Sequence, residues 1–152
     1  MTSAADNSED AYIAVGSNIE PERNIAAALA LLRKSLQVTA ISTFYRTAAI
    51  DRPEQPDFVN GVFSVRTAMG PRALKFDILR GIERQLGRVR TADKYAARTI
   101  DLDVVLYGRV VLEDPELHLP DPDIARPFVG LAVLELTPDM ELPDSRRPLE
   151  SL

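Results

Sequence analysis

The amino-acid sequence predicts an α+β fold built on a mostly antiparallel sheet, and three observations carry that prediction. Strand-like and helix-like segments follow one another in the order β-α-β-β-α-β. The chain of 152 residues, 45% of them apolar, has the size and composition of one domain with a full core. Seven of its eleven prolines fall in the last 38 residues, a composition that limits regular structure there to one short helix.

Residues 1–10 are polar and acidic and read as a disordered lead-in, so the single domain is expected over 11–152. Ala11 to Val15 is short, apolar and closed by Gly16, a buried strand. Gly16-Ser17-Asn18 then reads as a simple turn. Pro21 opens a helix at its first position, and Ile25, Leu29, Leu32 and Leu36 recur at helical spacing, giving a helix over 21–35. Residues 37–48 are rich in β-branched and aromatic types and read as one strand. The two prolines and four charges of 51–57 mark a loop, and 58–67 reads as a strand antiparallel to the previous one. Gly70-Pro71 starts a second helix with Leu74, Ile78, Ile82 and Leu86 on its inner stripe and a stop at Gly87. Residues 87–98 show no period. Residues 99–108 alternate, and Gly108 ends them. An extended segment and a helix over 127–136 complete the chain. The order β-α-β-β-α-β is the ferredoxin-like pattern. That fold hosts many chemistries, so function has to be argued from particular residues.

The charge balance narrows the options. Eighteen basic and 23 acidic residues give a net charge of −5, which argues against a general nucleic-acid binder or a basic membrane-surface protein. The chain has no Cys and a single His, His118, which leaves no thiolate site, no disulfide framework and little room for a Ser-His-Asp triad. No apolar run reaches the roughly 18 residues of a membrane span, and the first residues do not form a secretory signal. A soluble, cytoplasmic protein is expected.

The strongest local signal is Asp101-Leu102-Asp103. On a strand, residues two apart point to one face about 6.6 Å apart, so Ile100, Leu102, Val104 and Leu106 are expected toward a core and the two aspartates together on the other face. Adjacent carboxylates repel unless a cation sits between them, and Mg²⁺ takes one or two carboxylates plus water and substrate phosphates. The alternation alone fits either such a site or a solvated strand face. The preceding segment shifts the balance. Arg84, Arg88, Arg90, Lys94 and Arg98 face one acidic residue, Asp93, within 84–98, whereas the rest of the chain carries 13 basic and 22 acidic residues. Guanidinium forks suit phosphate oxygens. An arginine loop running into paired aspartates fits a Mg²⁺-polyphosphate site. It also fits a solvated helix end, or an RNA-binding loop without the aromatic pattern that RNA-reading sheets carry. There is no G-x-x-x-x-G-K-[ST] loop, so any nucleotide is not held by a P-loop. Phe58 and Asn60, two apart, place a ring beside an amide, a pair suited to a flat hydrogen-bonding heterocycle.

With these pieces in order, the sequence closely resembles the 6-hydroxymethyl-7,8-dihydropterin pyrophosphokinase family from about Ala11 to Pro138. The resemblance is carried by YIAVGSN (12–18), FYRT (44–47), QPDFVN (55–60), IERQLGRVR (82–90), RTIDLD (98–103) and RPFV (126–129). It implies a ferredoxin-like three-layer α/β/α sandwich, a monomer, and transfer of the pyrophosphoryl group of ATP to the pterin hydroxymethyl oxygen with release of AMP. It implies two Mg²⁺ ions on Asp101 and Asp103, with Arg88 and Arg98 joining those aspartates as catalytic residues. It implies ATP contacts at Glu83, Arg88, Arg90, Lys94, Tyr95, Arg98, Asp121 and Arg126. It implies a pterin slot lined by Thr47, Ala48, Ile50, Phe58, Asn60 and Phe128. The partners it implies are the pterin and ATP, with no nucleic acid and no membrane.

The chain also departs from the family's pattern. Leu119-Pro120-Asp121-Pro122 carries Asp121 where the family has an ATP-contacting His, and the stretch from there to Arg126 is one residue shorter. Lys94-Tyr95 stands for an Arg-Trp pair, and Ala48 for a Pro. These changes keep a second reading open, a pterin- and nucleotide-binding homologue without catalysis.

Overall fold

The computed structural model describes residues 7–48, 54–88, 99–145 and 147–149. Strand β1 (Glu9–Ser17) opens two residues before Ala11, inside the expected lead-in, because Asp10 and Glu9 pair with Arg66 and Thr67 of β4 (Phe58–Thr67). Helix α1 (Pro21–Arg33) starts at its proline as expected. The strand expected over 37–48 is broken into β2 (Gln37–Ile41) and β3 (Tyr45–Thr47). The break has a cause. Ser42 keeps its N–H on the Val62 carbonyl at 2.9 Å, but its Oγ rather than its carbonyl accepts the Val62 N–H at 2.8 Å, and Glu135 accepts from the Thr43 N–H at 3.0 Å, so the ladder stops there. Phe44 then folds against Phe63, with ring centroids 5.8 Å apart, over Gly61, where a Cβ would stand 2.6 Å from the Phe44 ring.

The second helix runs as α2 (Pro71–Ala73), a π-helical segment Leu74–Leu79 and α3 (Arg80–Gln85). The π turn inserts one residue, which rotates everything after it by about 100° relative to an α-helix. The fully buried pair is therefore Leu74 and Leu79, five apart, rather than the expected Leu74 and Ile78, and Ile78 is only partly buried. The same rotation puts Ile82 and Glu83 on the inner face.

Strand β5 (Asp101–Tyr107) completes a fully antiparallel sheet of order β2-β4-β1-β5, with β3 also on β4. Tyr12 faces Leu106 but Ile13 faces Val104, so Val105 is an extra residue in β5. This bulge overturns the expected alternation: Val104 lies in one core, Val105 and Leu106 in the other, and Tyr107 back in the first. The proline-rich tail holds more than one helix. It forms a hairpin of β6 (Leu112–Asp114) and β7 (Leu117–Leu119), a 3₁₀ turn (Pro122–Ala125) and α4 (Pro127–Leu136). His118 is exposed on that hairpin between buried Leu117 and Leu119.

Two cores flank the sheet, which makes the three-layer sandwich. On one face Ile13, Val15, Phe63, Val65, Leu102 and Val104 meet Ala28 and Leu32 of α1 together with Leu74, Leu79 and Ile82. On the other, Tyr12, Val62, Val105 and Leu106 meet Val129, Ala132 and Val133 of α4, closed by Leu142 and Leu149.

Candidate active site

Residues facing each other across an antiparallel ladder share a sheet face. Asp101 lies opposite Gly16 and Asp103 opposite Ala14, while Gly16 lies opposite Asn60. Asn60 faces Tyr45, and Phe58 faces Thr47. Asp101, Asp103, Asn60, Phe58 and Thr47 therefore lie on one face of four strands, the face that α4 covers further along. Asn60 donates from Nδ2 to Thr47 Oγ1 at 2.9 Å. A Cβ on Gly16 would stand 2.6 Å from Asn60 Oδ1, so the glycine allows the amide to lie across the first strand. Asp101 and Asp103 keep 24% and 35% of their side chains exposed. Burial and the neighbouring Asp101 push the Asp103 carboxyl up to about 6, against the pull of Arg80.

Behind the aspartates lies a buried ionic cluster. Glu83, on α3, has a side chain only 3% exposed. Its Oε2 accepts from Arg88 Nη1 at 2.9 Å and from the Leu102 N–H at 2.9 Å, and its Oε1 accepts from Arg80 Nη1 at 3.1 Å. Arg88 Nη1 also donates to Asp101 Oδ1 at 2.6 Å and the Ile100 carbonyl at 3.3 Å. Arg80 donates to the Leu102 carbonyl at 3.2 Å, and its Nη2 stands 3.5 Å from Asp103 Oδ1. Each arginine thus ties Glu83 to one aspartate. The three side chains also satisfy the outer backbone groups of β5, the open edge of the sheet. Burial works to lower the Arg88 guanidinium, but Asp101, Glu83 and Asp103 together hold it above its ordinary value. Arg80 is absent from the sequence-predicted site. Its place depends on the π turn, which leaves no helical-period signal.

Gly16-Ser17-Asn18 is more than a turn. Ser17 and Asn18 are buried. Ser17 Oγ donates to the Thr99 carbonyl at 2.6 Å, and Asn18 Nδ2 donates to Gln55 Oε1 at 2.9 Å. The end of β1 is thereby fastened to the chain just before β5 and to the chain just before β4. No sequence signal could have found this, because the partners lie 82 and 37 residues away.

On the α4 side, Asp121 Oδ1 accepts the Asp123 N–H at 2.8 Å. Burial pushes its carboxyl up; the Asp123 N–H opposes that and the Asp123 charge adds to it. Arg126 Nε stands 3.3 Å from Asp123 Oδ1, and its guanidinium lies 5.9 Å from the Phe128 ring centroid. The structure thus brings Asp101, Asp103, Glu83 and Arg88 together, and separately Thr47, Phe58 and Asn60, and Arg126 and Phe128. Ala48 is exposed beside Thr47. Ile50, Arg90, Lys94, Tyr95 and Arg98 lie outside the described residues.

Residues 12–138 match the family model described as 7,8-dihydro-6-hydroxymethylpterin-pyrophosphokinase (HPPK). This chain belongs to that family. Among similar proteins, the 2-amino-4-hydroxy-6-hydroxymethyldihydropteridine pyrophosphokinase of Pseudomonas aeruginosa is 39% identical over 145 residues, covering 93% of this chain and 88% of its own. The enzyme of the same name from Haemophilus influenzae is 36% identical over 140 residues, covering 90% and 86%. A solved structure of HPPK-DHPS in complex with substrates shares the fold, with a TM-score of 0.70 at 14% identity. The match covers 94% of this chain, which spans 42% of that one. As a pyrophosphokinase of this family, the chain is a transferase of folate synthesis. ATP is its co-substrate, and the pyrophosphoryl group passes to the hydroxymethyldihydropterin. No helix among the described residues is long and apolar enough to cross a membrane.

Proposed function

We propose that this pyrophosphokinase works through two magnesium ions held on Asp101 and Asp103. The residues fit the group. Both carboxylates are partly exposed on one face, and burial first, then the neighbouring Asp101 charge, pushes Asp103 up to about 6. Among the described residues no third carboxylate or imidazole completes a metal cluster. The remaining ligands then fall to water and the polyphosphate, which is the habit of magnesium. What such ions supply is charge neutralisation on phosphate oxygens and a lowered pKa for an oxygen nucleophile.

The protein's own groups do the positioning. Arg88 holds Asp101 in place and offers positive charge at the polyphosphate, and Arg90, Arg98, Lys94, Tyr95 and Arg126 are assigned to the nucleotide. Glu83 acts through Arg80 and Arg88, since its carboxylate is buried behind them. Thr47, Ala48, Ile50, Phe58, Asn60 and Phe128 form the pterin slot. The Asn60 amide, fixed by Thr47, reads the edge of the heterocycle, and the rings take its faces. No side chain need act as a general base, because orientation and electrostatics carry most of such a transfer. We read the chain as a cytoplasmic monomer with one such domain that begins with β1 at Glu9.

The observation that carries this reading is the shared sheet face. The aspartate pair and the Asn60–Thr47 pair are separated by one strand whose residue between them, Gly16, has no side chain. A coupled assay of AMP release with ATP, Mg²⁺ and 6-hydroxymethyl-7,8-dihydropterin tests it. AMP formation that requires the pterin and a divalent cation supports it. Binding of both ligands without AMP would favour a homologue that has lost catalysis.

A further inference from the structure

We propose that Asp121 is a positioning residue for the reaction. Its side chain closes the turn that delivers Arg126 and Phe128 to the site. The inference rests on the assignment of Arg126 to the nucleotide and Phe128 to the pterin. The geometry is a chain of local contacts. The Asp121 N–H donates to the Val105 carbonyl at 3.0 Å, which ties the turn to the bulged residue of β5, two positions after Asp103. Asp121 Oδ1 accepts the Asp123 N–H at 2.8 Å, and the Asp121 carbonyl accepts the Ile124 N–H at 3.0 Å, so side chain and backbone close the 3₁₀ turn together.

The closed turn fixes the entry into α4. Ile124 is buried in the core beneath that helix. The Asp123 carbonyl accepts the Arg126 N–H at 2.9 Å, and Asp123 Oδ1 pairs with Arg126 Nε. The Arg126 carbonyl in turn accepts from Val129 and Gly130 in the first turn of α4. A Cβ on Gly130 would stand 2.8 Å from the Ile124 carbonyl, so α4 starts hard against this turn. Arg126 and Phe128 therefore inherit their places from the closure at Asp121.

An amide can replace this cap with the same geometry, because Asn also accepts an i+2 N–H at such turns.

The test compares wild type with Asp121→Asn, Asp121→Val and Asp121→Ala. Pterin affinity is titrated by the ligand's own fluorescence, and KM for each substrate and kcat come from AMP release. Asp121→Ala is expected to weaken pterin binding and raise both KM values about fivefold, the scale of a lost cap, with kcat changed far less. Asp121→Asn is expected to rescue most of that loss, and Asp121→Val, which also cannot cap, stands in for Ala should Ala not fold. An Asn variant as impaired as Ala would show that the charge, not the cap, matters, and would overturn the proposal. So would an Ala or Val variant that binds like wild type. If wild type bound pterin but released no AMP, the reaction assignment would fail, and the pterin titration would still decide the cap.

Discussion

Arg88 touches Asp101 and Glu83 with the same Nη1 atom, at 2.6 Å and 2.9 Å. One guanidinium therefore joins a partly exposed carboxylate, on the sheet face shared with Asn60, to a carboxylate buried beneath the helix layer. Arg80 makes the second such link, from Glu83 to Asp103. The spacing and direction of the aspartate pair are set from behind, by a residue that does not reach the surface.

Removing Glu83 should be costly. Glu83→Ala leaves Arg80, Arg88 and the Leu102 N–H facing a gap where their shared acceptor was. Breaking a buried ion cluster by deleting one member costs about 3–5 kcal/mol. Urea unfolding is the measurement, and a loss below about 1 kcal/mol would mean that the cluster rearranges freely.

Gly16→Ala should act on the pterin side. The added Cβ meets Asn60 Oδ1 at 2.6 Å and must displace the amide from Thr47. Overpacking of this kind costs roughly 1–3 kcal/mol. Steady-state kinetics should show a higher KM for the pterin and a nearly unchanged KM for ATP. Equal rises in both would argue that the substitution disturbs the sheet as a whole.

Asp103 gives a pH dependence with a definite sign. Its folded-state value of about 6 lies above the ordinary 3.8, so the folded protein binds the proton more tightly than the unfolded chain does. Without divalent metal, the charged carboxylate penalises folding fully above pH 6, and the penalty fades as pH falls from 6 toward 3.8. Asp103→Asn should therefore stabilise the metal-free protein at pH 7–8, on the order of 1 kcal/mol once solvent screening at this partly exposed side chain is allowed for. Thermal melts in chelator across pH 4–8 read this directly. The gain should shrink on acidification, and a gain that is constant or grows toward pH 4 would contradict it.

Much of the fold is legible in the sequence because its signals are local. Pro21 and Pro71 mark helix starts, and the β-branched and aromatic residues of 58–67 and the apolar alternation of 101–104 mark strands. The illegible part comes from single-residue insertions that leave composition untouched. The bulge at Val105 moves Leu106 to the opposite core, and the π turn at Leu74–Leu79 moves burial from Ile78 to Leu79. The split of 37–48 depends on Glu135, 92 residues from Thr43. In the site, the pairing of Asp101 and Asp103 on one face is readable from strand period alone. The roles of Arg80, Ser17 and Asn18 are not, because they exist only once β1, α3 and β5 are packed together.

The most direct test of the metal assignment is turnover of Asp103→Asn under saturating ATP, Mg²⁺ and pterin, alongside its melting curve. The aspartate pair as the magnesium site predicts a folded protein whose AMP release falls by orders of magnitude. Unchanged turnover in a folded variant would contradict it.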